Sequence, residues 1–112
     1  MKTSRPIRAR ISGGALLHNY RLAKRLAANA KAWAVIKADA YGHGLIPSAR
    51  AAKTGGAEWL GVALVDEGLS LRAAGLPGPI LAWLCGPGEQ WEAAVAADLD
   101  LSVNAVWALQ EV

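Results

Sequence analysis

Four short apolar runs decide most of what this chain can become. Trp33-Ala34-Val35-Ile36, Trp59 to Val65, Pro79 to Leu84 and Leu99 to Val103 recur at a spacing of about 20 to 25 residues. Each is too short for a core helix, and each is bounded by Gly, Pro, Asn or Asp. Between them lie segments with helical periodicity, which predicts parallel βα units and an α/β fold. Runs that are apolar on both pleat faces predict strands covered on both sides.

The helices announce their ends. Leu16, Leu17, Tyr20, Leu22, Ala23, Leu26 and Ala27 recur near a 3.6-residue period behind Ser12, a good N-cap whose start Gly13 and Gly14 are expected to delay. Ile46 to Lys53 reads as a second helix, with Pro47 in its first turn and Gly55-Gly56 as its stop. Asp66 is expected to cap a third that ends at Gly75. Gly88 to Ala97 reads as a fourth, and Asn104 as the cap of a last one. Ahead of all this, Arg8-Ala9-Arg10-Ile11 alternates as a half-exposed strand does. Four βα units fit either an open doubly wound sheet or half of an eight-unit barrel.

Length and composition narrow the function. The 112 residues support one domain, and 54% hydrophobic residues suffice for a packed core. No apolar stretch reaches the ~18 residues that span a bilayer, and Met1-Lys2-Thr3-Ser4-Arg5 leads into no apolar signal core. Cys85 is the only cysteine, which fits a reducing cytoplasm. Residues 1–53 carry eleven of the twelve Lys and Arg and one acid, a balance of +10; residues 54–112 carry Arg72 and eight acids, a balance of −7. Lys2, Arg5, Arg8 and Arg10 could form a basic arm for nucleic acid. They are spread over several elements without a nucleic-acid motif, so a solvated face is the preferred reading.

Lys37 stands apart chemically. It ends the first buried run, residues 32 to 37, and Gly42 and Gly44 follow at once. An amine at the carboxyl end of a parallel strand sits at the edge where such sheets bind ligands. A Lys amine can attack a carbonyl carbon and form a Schiff base. Tyr41, four residues on, offers a hydroxyl for an anion. The bland alternative is a lysine that snorkels from a strand end into water. The other lysines, Lys2, Lys24, Lys31 and Lys53, fall on terminal, helical or strand-entry positions. His18, His43 and Cys85 are too scattered to predict a metal site. His43 is expected to shape its turn by hydrogen bonding rather than to catalyse. Asp66-Glu67 reads as a helix start, not an acid pair, since adjacent helical residues do not face one another. Neither Gly13-Gly14 nor Gly42-x-Gly44 is a phosphate-loop fingerprint, and no serine sits in a nucleophile elbow.

The run Val35-Ile36-Lys37-Ala38-Asp39-Ala40-Tyr41-Gly42-His43-Gly44 resembles the pyridoxal-phosphate attachment motif of the alanine racemase family. Related barrels that bind this cofactor lack the Tyr-Gly-His-Gly tail. Arg8 to Ile11 with Ala15 to Tyr20, Asp66 to Arg72, and Gly78 to Leu84 resemble the segments around it in that family. The resemblance implies the N-terminal half of a (β/α)8 TIM-like barrel, preceded by a strand that pairs with a β domain lying outside this chain. It implies pyridoxal 5'-phosphate held by Lys37, with Tyr41 at its phosphate and Trp83 beside it. Trp83 is larger than the apolar residue many members carry there. Lys37 would be the proton-transfer group on one face of the substrate; in the family the other is a Tyr of the partner subunit's β domain. The activity implied is interconversion of L- and D-alanine in a cytoplasmic homodimer, supplying D-alanine for peptidoglycan, with no metal, nucleic acid or membrane partner. A non-catalytic half-barrel or cofactor-binding module is the second expectation, since this chain by itself offers half a barrel and one proton-transfer group.

Overall fold

The computed structural model describes residues 6–112; Lys2 and Arg5 of the basic stretch lie outside them. The chain runs α1 (Gly13–Leu26), β1 (Trp33–Val35), α2 (Lys37–Tyr41), α3 (Leu45–Thr54), β2 (Trp59–Val62), α4 (Val65–Ala73), β3 (Ile80–Ala82), α5 (Trp91–Ala96), β4 (Asp100–Leu101) and α6 (Val106–Glu111). The four strands form one parallel sheet in the order β1-β2-β3-β4. A doubly wound sheet would reverse its winding at a switch point. Strictly sequential neighbours are the winding of a barrel, here left open.

The register sorts the side chains into two faces. Ala34 pairs with Leu60, Leu60 with Ile80, Val62 with Ala82, and Ala82 with Leu101. These form one row, and Leu60, Val62, Ile80 and Ala82 are completely buried beneath the helices. Ala49 and Ala52 of α3, and Val65 and Leu71 of α4, close over them. Burying each of the larger aliphatic side chains contributes about 1.5–3 kcal/mol. The small residues of α3, Ser48, Ala49 and Ala52, let that helix lie close on the sheet.

The opposite face is the barrel-facing one, which four units of an eight-unit barrel are expected to leave uncovered. Trp33, Val35, Trp59, Gly61, Leu81 and Asp100 share it. No helix of the described residues covers it, so Trp33 and Val35 remain 38% and 39% exposed although their run is continuously apolar. The first strand is therefore not buried on both sides. Trp33 and Trp59 reduce the exposure by stacking with ring centroids 4.5 Å apart. Arg8 to Ile11 forms no ladder among the described residues, and residues 6–11 are exposed; the β domain expected to pair with it is not among them. A strand exists through its ladder, and nothing among the described residues pairs with this one.

Helix starts agree in kind and differ in detail. Ser12 caps α1, its Oγ accepting from the Ala15 N–H at 3.1 Å, and the two glycines do not delay the helix. Tyr20 on α1 donates its hydroxyl to the Ala32 carbonyl at 2.8 Å and so ties the helix to the start of β1. Burial, with Glu58 nearby, raises the Tyr20 pKa, keeping that hydroxyl a donor. Asp66 is not the cap of α4; the cap is Leu64, and Asp66 lies in the first turn. Asn104 does not cap α6 either: that place is taken by Ala105, while the Asn104 Oδ1 accepts from the Ser102 hydroxyl.

An open parallel sheet with unpaired edges and an uncovered apolar face is a template for association. Purified residues 1–112 are expected to sediment as concentration-dependent oligomers. A single monomeric species across the range would show that this face is stable in water.

Candidate functional site

Lys37, Tyr41 and Trp83 lie at the carboxyl edge of the sheet. Lys37 follows β1 by two residues, is half-buried, and opens α2. That element is a left-handed turn: φ is +51° at Ala38, +56° at Asp39, +52° at Ala40 and +56° at Tyr41. Each such L-residue costs roughly 1–2 kcal/mol relative to the right-handed form, Asp somewhat less. Gly42 and Gly44 continue with φ of +86° and +96°, where glycine carries no penalty.

A dense set of hydrogen bonds holds the turn. Ala40 N–H donates to the Ile36 carbonyl at 2.9 Å, and Gly44 N–H to the Asp39 carbonyl at 2.9 Å. Both the N–H and the Nδ1 of His43 reach the Ala40 carbonyl, at 3.1 and 2.8 Å. A carbonyl only accepts, so Nδ1 carries the hydrogen. His43 thus shapes the turn, as expected of it. At the far end the Asp39 Oδ1 accepts from the Leu45 N–H at 2.8 Å and leads the chain into α3. At the near end the Glu67 Oε2 accepts from the Ala38 N–H at 2.8 Å, while its Oε1 accepts from the Leu64 N–H at 3.0 Å.

Tyr41 closes the turn with its side chain 60% exposed. Trp83 follows β3 directly; its N–H donates to the Val62 carbonyl at 3.2 Å, extending the ladder. The edge of its indole meets Gly61 of β2, where an added Cβ would come within 2.7 Å of the ring Cη2. Gly61 is the register partner of Val35. The uncovered face near Lys37 is therefore walled by an aromatic ring set against bare backbone. Lys37 and Tyr41 share one turn, and Trp83 stands on the same edge two strands along.

Other groups are set apart. His18 is exposed on α1. Burial, with Glu89 close by, raises the Cys85 thiol pKa, the opposite of an activated nucleophile. Among the described residues no three His, Cys, Asp or Glu side chains gather as metal ligands, and no helix is long and apolar enough to cross a membrane.

The sequence family described as alanine racemase, N-terminal domain, matches residues 11–112. The chain belongs to the alanine racemase family. The alanine racemase of Frankia casuarinae is 60% identical over 85 residues, 76% of this chain and 22% of the relative. That of Thermobifida fusca is 50% identical over 104 residues, 93% of this chain and 28% of the relative. The crystal structure of the alanine racemase from D-cycloserine producing Streptomyces lavendulae superposes with a TM-score of 0.90 at 47% identity, covering 91% of this chain and 27% of that one. The chain thus spans about a quarter of the length of the relatives it matches. Its four βα units match the N-terminal part of their barrel, here not closed.

Sequence reasoning missed three residues of the family's edge in this chain. Glu67 reads from sequence only as part of a helix start, because its reach to Ala38, 29 residues away, leaves no local signature. The intimacy of Gly61 with Trp83 is likewise a contact between strands. Asp39 did carry a signal, since Asp beside glycines favours side-chain to backbone bonds in turns.

Because Trp83 covers Gly61, Gly61→Ala must displace the indole and is expected to destabilise the chain by about 1–3 kcal/mol. Trp83→Leu on the same background should recover most of the loss. Denaturant midpoints of the two single variants and the double variant check this; strictly additive effects would dissolve the pair.

Proposed function

We propose that this chain is the part of a pyridoxal-phosphate-dependent alanine racemase that carries the cofactor lysine, and that Lys37 is that lysine. The observation that carries the reading is the amine of Lys37 at the carboxyl edge of β1, followed at once by a left-handed turn held at both ends by carboxylates. The donor set fits the cofactor. An amine suits its aldehyde, the exposed Tyr41 phenol suits its phosphate, and the Trp83 indole beside Gly61 supplies an apolar wall. Asp39 and Glu67 are committed to backbone N–H groups, so neither competes for the amine.

When bound, the cofactor supplies an electron sink for the carbanion left at the substrate α-carbon. The residues of this chain do the rest of the work on their side. Lys37 Nζ would hold the cofactor through its aldehyde carbon. As an amine beside the substrate, the same Nζ would accept or return a proton on one face of the α-carbon. Tyr41 would donate its hydroxyl hydrogen to the phosphate, fixing the far end of the cofactor. Racemisation needs a second group on the opposite face. By the family resemblance it comes from a partner subunit, which makes a homodimer the working assembly and alanine the substrate.

Borohydride treatment with pyridoxal phosphate, followed by peptide mapping, tests the lysine. The reduced cofactor is expected on the peptide spanning residues 32–50; a modified Lys24, Lys31 or Lys53 in place of Lys37 would refute the assignment. Tyr41→Phe is expected to weaken cofactor retention by about 1.5–3 kcal/mol, the worth of one hydrogen bond to a charged group, with little effect on the saturated rate. Cofactor titration beside the rate at saturation separates these. Unchanged affinity with a collapsed rate would move Tyr41 from binding to proton transfer.

A further inference from the structure

We propose that Glu67 is the positioning residue for Lys37: its carboxylate grips the peptide immediately after the lysine and so sets the direction of the amine. The inference rests on Lys37 holding the cofactor, as argued above.

Three observations carry it. First, the contact is specific. The two carboxylate oxygens are divided between the Ala38 N–H at 2.8 Å and the Leu64 N–H at 3.0 Å, one in the crossing after β1 and one in the crossing after β2. A helical turn leaves its first N–H groups without partners inside the turn, and Glu67 supplies the missing acceptor at Ala38. Second, the turn requires a fixed boundary. Its L-residues are held against their conformational preference. If the Ala38 N–H lost its acceptor, nearby backbone angles would be free to relax, and the Lys37 side chain would swing with them. Third, Glu67 has a rigid base. The next residue, Gly68, lies so close to Leu99 that an added Cβ would come within 2.9 Å of its Cδ1. Val65 and Leu71 are completely buried. Arg72 donates to the carbonyls of Ala97, Leu76 and Asp98 at 2.8, 2.9 and 2.8 Å. Helix α4 is therefore anchored on the chain before β4, and Glu67 links that anchor across the sheet edge to the peptide after Lys37.

The chemistry demands a glutamate. Glutamine has one acceptor oxygen and one NH2 donor, so it serves one of the two N–H groups and opposes the other. Aspartate keeps both oxygens but is one methylene short of the span.

The test uses Glu67→Gln and Glu67→Asp in the full-length protein that carries this chain. In the cofactor-free protein, amide hydrogen exchange at Ala38 is expected to quicken about tenfold or more, while Leu60 and Val62 exchange as before. In the same variants the affinity for pyridoxal phosphate should fall about tenfold, and the pH midpoint of the visible absorption of the attached cofactor should move. Replacing Ala38 by L-lactate removes the donor while leaving Glu67 on Leu64. It should reproduce the loss even where the Glu67 variants disturb α4. Faster exchange at Ala38 with unaltered cofactor affinity and an unaltered pH midpoint would reduce Glu67 to a cap of α4 and overturn the proposal alone. An unsubstituted protein that never attaches the cofactor at Lys37 would overturn the cofactor reading and this one together.

Discussion

The row of Leu60, Val62, Ile80 and Ala82, pressed completely out of water, governs the rest of the molecule. Side chains alternate along a strand, so a slip of one residue would turn this row outward and Trp59, Gly61 and Leu81 inward against the helices. That penalty fixes the register of β2 on β3, and β1 follows through Ala34 on Leu60. Once the register is set, the carboxyl ends of the strands stop at defined heights. Lys37, Leu64 and Trp83 then emerge along one edge. The functional edge is thus a consequence of packing on the far face of the sheet, by residues that have no chemistry of their own.

What happens above that edge depends on bonds between neighbouring crossings rather than within them. The turn after β1 leans on the start of α4 through Glu67, and α4 leans on the chain before β4 through Gly68 and Arg72. Each unit is braced by the next. Polar groups do the bracing because apolar contacts at the rim would lie in water, where they contribute little. A hydrogen bond to a charged carboxylate, by contrast, stays favourable at an exposed edge.

How much of this was legible in the sequence divides along the same line. Features that depend on local pattern were readable: Ser12 as a cap, the β2 and β3 runs, α3 between Pro47 and Gly55, and Lys37 at a strand end. The uncovered barrel-facing surface is what four units of an eight-unit barrel imply. Apolar runs such as Trp33 to Ile36 signal that both faces are to be buried, and this chain buries only one of them. Arg8 to Ile11 has strand alternation yet no ladder to join. The left-handed turn was invisible because Ala38, Ala40 and Tyr41 are not residues that favour it. Only the neighbouring glycines hinted at an unusual path, and long-range acceptors decide it. Shifted caps at Leu64 and Ala105 have the same origin: tertiary bonds replaced the local side chains that pattern reasoning expects.

The turn from Ala38 to Tyr41 has the hand that a chain of mirror-image residues would choose unaided. At Ala38 and Ala40 it is the L configuration itself that is strained, by roughly 1–2 kcal/mol each. The ribosome can relieve this only with glycine, which brings more disorder to the unfolded chain. A chemically assembled protein has another recourse. D-alanine at either position would keep the methyl group and remove the strain, so a protein proposed to make that enantiomer contains two sites where its own backbone would be eased by it.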